Sequence, residues 1–147
     1  MGKFDWFWKA MGSTTERNNK KSKAVVANAH GLIEELSLLD DASLASAVAS
    51  TVRDGAIADK PRFLAGLSVA SQRTLGMTPF EVQNQAVLRL LEGDVIQMAT
   101  GEGKTLVGAM AATGFALQGK RVHLITVNNY LAARDAEWMR PVSYTHL

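Results

Sequence analysis

Met98-Ala99-Thr100-Gly101-Glu102-Gly103-Lys104-Thr105-Leu106 is the stretch on which the fold turns. Asp94-Val95-Ile96-Gln97-Met98 before it reads as a short strand. Leu106–Leu117 after it is apolar nearly all round and rich in Ala and Gly, so it reads as a buried helix that can lie close to a sheet. Strand, glycine turn, Lys-Thr and helix together are the context that a phosphate-binding loop needs. A triphosphate is highly charged and has to be held by donors. Glycines allow backbone N–H groups to turn inward where side chains would block them, and the helix N-terminus adds partial positive charge. The candidate nucleotide-binding residues are therefore Gly101, Glu102, Gly103, Lys104 and Thr105. Lys104 can reach the β and γ phosphates, and the Thr105 hydroxyl can join the shell of a Mg²⁺ ion carried with ATP, so these two are also the candidate catalytic residues. The strict loop pattern wants glycine at position 98. Met98 stands there, which argues against the GTPase type of loop.

Downstream, Gly119 closes the helix, 122–127 (Val-His-Leu-Ile-Thr-Val) reads as a second strand, and Leu131–Met139 as a second helix stopped by Pro141. Strand, loop, helix, strand, helix is the opening of a parallel α/β sheet, and two strands cannot complete one. Upstream, Thr78-Pro79-Phe80-Glu81 predicts a helix start. Thr78 and Glu81 would form a reciprocal capping box, Pro79 would take the first helical position, and Met77 and Val82 would form a hydrophobic staple. That helix carries Gln83, whose amide offers a donor and an acceptor together and so can match N6–H₂ and N7 of adenine. Phe80 or Met77 could add apolar contact to the ring. Gln85 is the rival glutamine, and a solvent-facing Gln is the plainer reading of position 83 taken alone.

The first 75 residues predict helices and no strand. Val25, Ala29, Leu32, Ile33, Leu36 and Leu39 fall near helical spacing. Asp40-Asp41 offers an N-cap for a helix presenting Leu44, Val48 and Val52, with Gly55 beyond its end, and Pro61 can open a third with Leu64, Leu67 and Val69. Residues 13–23 are polar and read as a linker. Residues 1–23 hold six Lys/Arg against two acids, and the rest holds 10 against 12, although the whole chain is only +2. A basic arm over 1–23 suits anionic lipid or nucleic acid, but the nearly neutral body suggests no nucleic-acid groove. Trp6-Phe7-Trp8 beside Lys3 and Lys9 could dip into a membrane interface or pack on protein. There is no cysteine, and His30, His123 and His146 lack metal-ligand spacing. No apolar run is long enough to span a bilayer, and the charged start is not a signal peptide, so a cytosolic site of synthesis is expected.

Three segments, 76–83, 98–106 and 126–139, together resemble SecA, the ATPase of the bacterial Sec preprotein translocase. Thr126-Val127-Asn128-Asn129-Tyr130-Leu131-Ala132-Ala133-Arg134-Asp135-Ala136-Glu137-Trp138-Met139 is the most specific, because RNA helicases carry a different motif after that strand. Phe7-Trp8-Lys9, 12–18 (Gly-Ser-Thr-Thr-Glu-Arg-Asn) and Asp94-Val95-Ile96 are closer to the accessory SecA paralogue of actinobacteria. The resemblance implies a helicase-type motor of two RecA-like domains with ATP and Mg²⁺ between them, acting on preproteins at the Sec channel from the cytoplasmic face of the membrane. It assigns nucleotide binding to Gln83 and Gly101 through Thr105. SecA usually has Asp where this chain has Asn129, which would weaken a hydrogen bond anchoring the loop after the strand. The expected organisation is an arm at 1–23, a helical region at 24–75, the start of a truncated RecA-like nucleotide-binding domain at 76–142, and a non-native tail at 143–147. An ATP-dependent RNA or DNA helicase and an inactive fragment are the alternatives.

Overall fold

The structure, a computed structural model, describes residues 14–144, with side chains from 18 to 140. The aromatic cluster and most of the basic arm lie outside the described residues. Helix α1 runs Thr14–Ser37 without a break. Ser22, Val26, Ala29 and Leu36 are buried at helical spacing, with Val25, Leu32 and Ile33 half-buried beside them. Residues 14–23, expected to be a linker from their polarity, are instead the opening turns of this helix. Lys20, Lys21 and Lys23 face solvent while Ser22 is buried, so the polar run is one face of an amphipathic helix.

Asp40 caps helix α2 (Asp41–Ala49) as expected, its Oδ1 accepting from the Ser43 N–H at 2.7 Å. That bond is the main reason its carboxyl is held below its usual range. Leu44 and Val48 are buried. Val52 does not continue α2. It belongs to a hairpin that the sequence reading missed, β1 (Val52–Arg53) against β2 (Ala56–Ile57), with Val52 opposite Ile57. Asp54 and Gly55 between the strands have φ 52° and 71°, the positive pair of a type I′ turn.

Helix α3 (Lys60–Leu75) starts at the Asp59 cap with Pro61 in its first turn, and every residue from Phe63 to Ser71 is buried. It packs against α1, α2 and α6. Gly66 is where α2 comes closest: a Cβ there would lie 2.3 Å from Val48 Cγ2. Arg73 ties three chain segments together, donating to the Ser37 and Leu39 carbonyls at 3.0 and 2.6 Å and to Asp41 Oδ1 at 2.7 Å. Helices α4 (Glu81–Leu91) and α5 (Lys104–Leu117) pack on each other, α4 also on α1, and α6 (Asn129–Tyr144) on α3 and α5. Phe63, Leu64, Leu67, Val87, Leu88, Leu106, Val107 and Met110 form the centre of the core. An ion-pair cluster fastens the end of α4 to the start of α3. Glu92 accepts from Lys60 at 2.6 Å and pairs with Arg89 at 2.5 Å, and Arg89 also pairs with Asp94. The Lys60 hydrogen bond is the main influence holding the Glu92 carboxyl below its ordinary value.

Two expectations for the nucleotide-binding half need correction. Residues 94–98 and 122–127 form no strand; among the described residues the hairpin at 52–57 is the only sheet. A strand is defined by its ladder, and among the described residues neither segment pairs with another strand; the Asp94 N–H bonds back to the Arg89 carbonyl at 3.0 Å, a helix-end contact rather than a ladder. Helix α6 also continues through Pro141 to Tyr144 rather than stopping before it. Proline removes one helical hydrogen bond and crowds the carbonyl four residues back, which is a cost rather than a prohibition.

Candidate functional site

The loop between Met98 and α5 is built around Ala99. Its N–H donates to Glu102 Oε2 at 2.6 Å, and its carbonyl accepts the Lys104 ammonium at 2.7 Å. The Glu102 N–H closes the turn back onto the same carbonyl at 3.4 Å. Gly101 and Gly103 have φ 88° and 72°, the left-handed region in which side chains are strained. Gly103 is demanded twice, because a Cβ there would also sit 2.3 Å from Gln83 Nε2. It caps α5 with its backbone alone: the Leu106 and Val107 N–H groups reach its carbonyl at 3.1 and 3.3 Å, and no side chain caps the helix. A helix N-terminus that no side chain caps, preceded by two left-handed glycines, suits an anion. Lys104 is exposed, and an ammonium has three donors, so it can add phosphate oxygens to its present contact. Thr105 is half-buried beside it, where a hydroxyl would complete the shell of a phosphate-bound Mg²⁺. The donor set therefore fits ATP with Mg²⁺.

Gln83 meets this loop from α4. It is 3% exposed, and both ends of its amide are engaged. Oε1 accepts from the Phe80 N–H at 2.8 Å, and Nε2 donates to the Glu102 carbonyl at 2.9 Å. An adenine contact would require Gln83 to exchange or share one of these partners. The helix begins later than expected: Phe80 is the N-cap, Gln83 rather than Glu81 reaches back, and the Thr78 hydroxyl donates to Gln72 Oε1 at 2.7 Å. The spacing of three between reaching residue and cap is kept, but two residues downstream. Phe80 stands 71% exposed above Gln83, and Met77 and Val82 are also open. Gln85 is half-buried on the same helix.

Beyond the loop, α5, residues 122–126 and α6 enclose a groove of about 940 Å³. Lys104 and Thr105 lie at one end and Asp135 and Arg140 line the α6 side. Val95, Leu124, Ile125 and Val127 are 67–100% exposed, and His123 is exposed too. Asn128 Oδ1 caps α6 by accepting from the Leu131 N–H at 2.9 Å. The turn after 122–127 is thus anchored by Asn128, the residue before the Asn129 departure. On α6, Arg134 pairs with the groove-lining Asp135 at 2.7 Å. Met139 is buried, and Trp138 is 43% exposed. The structure therefore brings Gln83, Glu102, Gly103 and Lys104 into one connected set. The Gln83–Glu102 and Glu102–Ala99 links were not read from the sequence. The first joins residues 19 apart and has no local signal. Among the described residues no cluster of three His, Cys, Asp or Glu could hold a metal by itself, and no helix is long and apolar enough to cross a membrane.

The SecA DEAD-like domain family matches residues 7–146, a range that takes in most of the 143–147 tail. Protein translocase subunit SecA 2 of Corynebacterium glutamicum (strain R) is 61% identical over 142 residues, covering 97% of this chain and 19% of the relative. The SecA 2 of Corynebacterium jeikeium is 56% identical over 150 residues, covering 95% and 19%. That of Mycolicibacterium smegmatis is 49% identical over 138 residues, covering 92% and 18%. The chain thus spans about 19% of the length of the curated relatives it matches most extensively.

Proposed function

We propose that this chain, which belongs to the SecA DEAD-like domain family and lies with its accessory SecA 2 members, supplies the ATP-binding part of a motor that drives preproteins across the cytoplasmic membrane. The observation that carries this reading is the connected loop: Gln83 against Glu102, left-handed Gly101 and Gly103, and Lys104 at the head of a helix that no side chain caps. Gly101–Thr105 hold the phosphates of ATP, and Thr105 faces its Mg²⁺. The bound nucleotide supplies the free energy of the γ-phosphate bond. This chain's residues orient that phosphate and neutralise its charge through Lys104 and the α5 N-terminus. Gln83 and Phe80 face the adenine end. Residues 94–98 and 122–127 become strands of the RecA-like sheet when neighbouring strands supply their ladders, which accounts for four exposed aliphatic side chains on them.

The motor works at the cytoplasmic face of the membrane, with the Sec channel and preproteins as partners. The basic arm at 1–23 meets anionic lipid, and no specific nucleic acid is bound. A helicase is disfavoured by the balance of 10 basic and 12 acidic residues outside the arm, since strand binding needs phosphate-neutralising Lys and Arg.

The test uses this chain in place of the matching segment of the Corynebacterium glutamicum relative, giving a joined full-length protein. Lys104→Ala should abolish its ATP turnover and its preprotein transport into vesicles. Undiminished turnover in that variant would remove Lys104, and the loop, from the site.

A further inference from the structure

Glu102 stands out in the loop because it is an acid in a turn shaped for an anion. Of the polar side chains near the loop, Lys104 suits a phosphate directly and Gln83 is neutral. Glu102 does neither of these things. Its Oε2 takes the Ala99 N–H at 2.6 Å, the short distance of a charge-assisted bond. Its own backbone is held at both ends, the N–H to Ala99 O at 3.4 Å and the carbonyl to Gln83 Nε2 at 2.9 Å. Residue 99 is consequently clamped on both its polar groups, by a carboxylate on the N–H and by the Lys104 ammonium on the carbonyl. The side chain of Glu102 closes a ring over the glycine turn that no other described hydrogen bond closes on the Ala99 N–H.

We propose that Glu102 is a positioning residue that keeps the phosphate loop shaped before nucleotide arrives, and that its charge at the same time weakens the hold on triphosphate. This deepens the reading of Gly101–Thr105 as an ATP site and rests on it. The two effects act through different properties of the side chain. Shaping needs only an acceptor for the Ala99 N–H, which a glutamine amide also provides. The weakening needs the negative charge, which repels phosphate across a few ångströms of partly solvated space. A protein that must release its nucleotide at every cycle gains from a shaped site that does not bind too tightly, and a single carboxylate provides both.

The two properties are separated by Glu102→Gln and Glu102→Ala in the joined full-length protein, with Lys104→Ala as the control. Affinity is read by titration with a fluorescent ATP analogue at low and high salt, turnover by steady-state kinetics, and folding by thermal melts. Glu102→Gln is expected to bind about three- to tenfold more tightly at low salt, with the gain shrinking as salt screens the lost repulsion. Glu102→Ala is expected to bind about three- to tenfold more weakly than Glu102→Gln, because an unshaped loop must be ordered on binding. KM should fall in Glu102→Gln more than kcat changes. Equal affinities for the Gln and Ala variants, or a Gln gain that salt leaves untouched, would overturn the proposal while Lys104→Ala still abolishes binding. If Lys104→Ala binds like the parent, the ATP site itself is misplaced and the proposal fails with it.

Discussion

Position 83 shows how one side chain can carry two duties. Its carbonyl oxygen holds the Phe80 N–H, and its amide nitrogen holds the Glu102 carbonyl of the phosphate loop. Gln83→Ala should therefore lower affinity for ATP and GTP together, since the loop loses a support, and should also narrow the gap between them, since adenine loses its match. Titration of both nucleotides separates the two: an unchanged gap would place adenine recognition elsewhere. Gly103→Ala attacks the same junction from the loop side. The left-handed φ of 72° costs an alanine about 1 kcal/mol or more, and the new Cβ would collide with Gln83 Nε2. Nucleotide affinity should fall about tenfold, a factor that corresponds to about 1.4 kcal/mol, and the strain in the folded chain should lower the melting temperature by a few degrees. A variant with parental affinity would show that Gln83 yields without consequence. The shape of the loop is legible in the sequence, because a Gly-x-Gly turn ahead of an apolar helix calls for the left-handed φ that Gly101 and Gly103 adopt. The partners of Gln83 were not, because a contact over 19 residues depends on how α4 docks against the turn.

Among the elements, legibility followed the same division. The Asp40 cap and the α3 opening at Pro61 rest on local chemistry and were read correctly. The α1 start is not legible from polarity, which suggests a linker; the buried spacing that begins at Ser22 marks one helical stripe. The Asp54-Gly55 pair suits a helix end and a two-residue hairpin alike, and the positive φ of both residues belongs to the hairpin. Two expectations test the packing of these elements. Gly66→Ala forces a methyl against Val48 where α2 meets α3, and should destabilise by about 1–3 kcal/mol, read from chemical denaturation. An unaffected midpoint would mean that α2 shifts freely. The ion-pair cluster gives a pH dependence. Glu92 is held below its ordinary 4.5 by Lys60, so its folded value is depressed. Its contribution is present above the unfolded value and is lost as pH falls through the folded one. The melting temperature should therefore decline below about pH 4.5, and more shallowly in Glu92→Gln. Because Glu92 is partly exposed, solvent screening keeps the effect small. An identical decline in that variant would assign the acid sensitivity to Asp40 and its neighbours.

At the scale of the whole molecule, the helices share a well-enclosed core, and the segments before and after α5, 94–98 and 122–127, are largely open. Leu36, Leu44, Phe63, Leu64 and Leu67 are essentially sealed, whereas Val95 is fully exposed, Ile125 94% and Val127 87%. The sequence indicated strands there because β-branched and aliphatic runs suit a pleated, buried surface, and the family match supports a sheet architecture. What a run of residues cannot specify is the partner that completes its ladder, and a strand without one is only a segment with that potential. Two consequences follow for the 147-residue polypeptide on its own. The unpaired segments beside the groove should bind an apolar dye and promote self-association, which light scattering would register. The polypeptide should also fail to hydrolyse ATP at a useful rate. In the proposed site Lys104, Thr105 and the α5 N-terminus would position phosphate and metal, but the attacking water also needs an orienting group, and the transition-state charge needs further cations. An arginine finger alone is worth about 10³–10⁵ in rate in P-loop enzymes. Glu102 does not fill the first role, because its carboxylate is engaged with the Ala99 N–H. Arg134 does not fill the second, since its guanidinium is already engaged twice by Asp135 Oδ1, at 2.9 and 2.7 Å. Mg²⁺-dependent phosphate release should therefore stay at background in the purified 147-residue chain and rise by at least about 10³ in the joined full-length protein, as one missing finger alone would dictate. Turnover by the monodisperse short chain that vanishes in Lys104→Ala would show that the loop and its two helices already hold the water-orienting group and the cation.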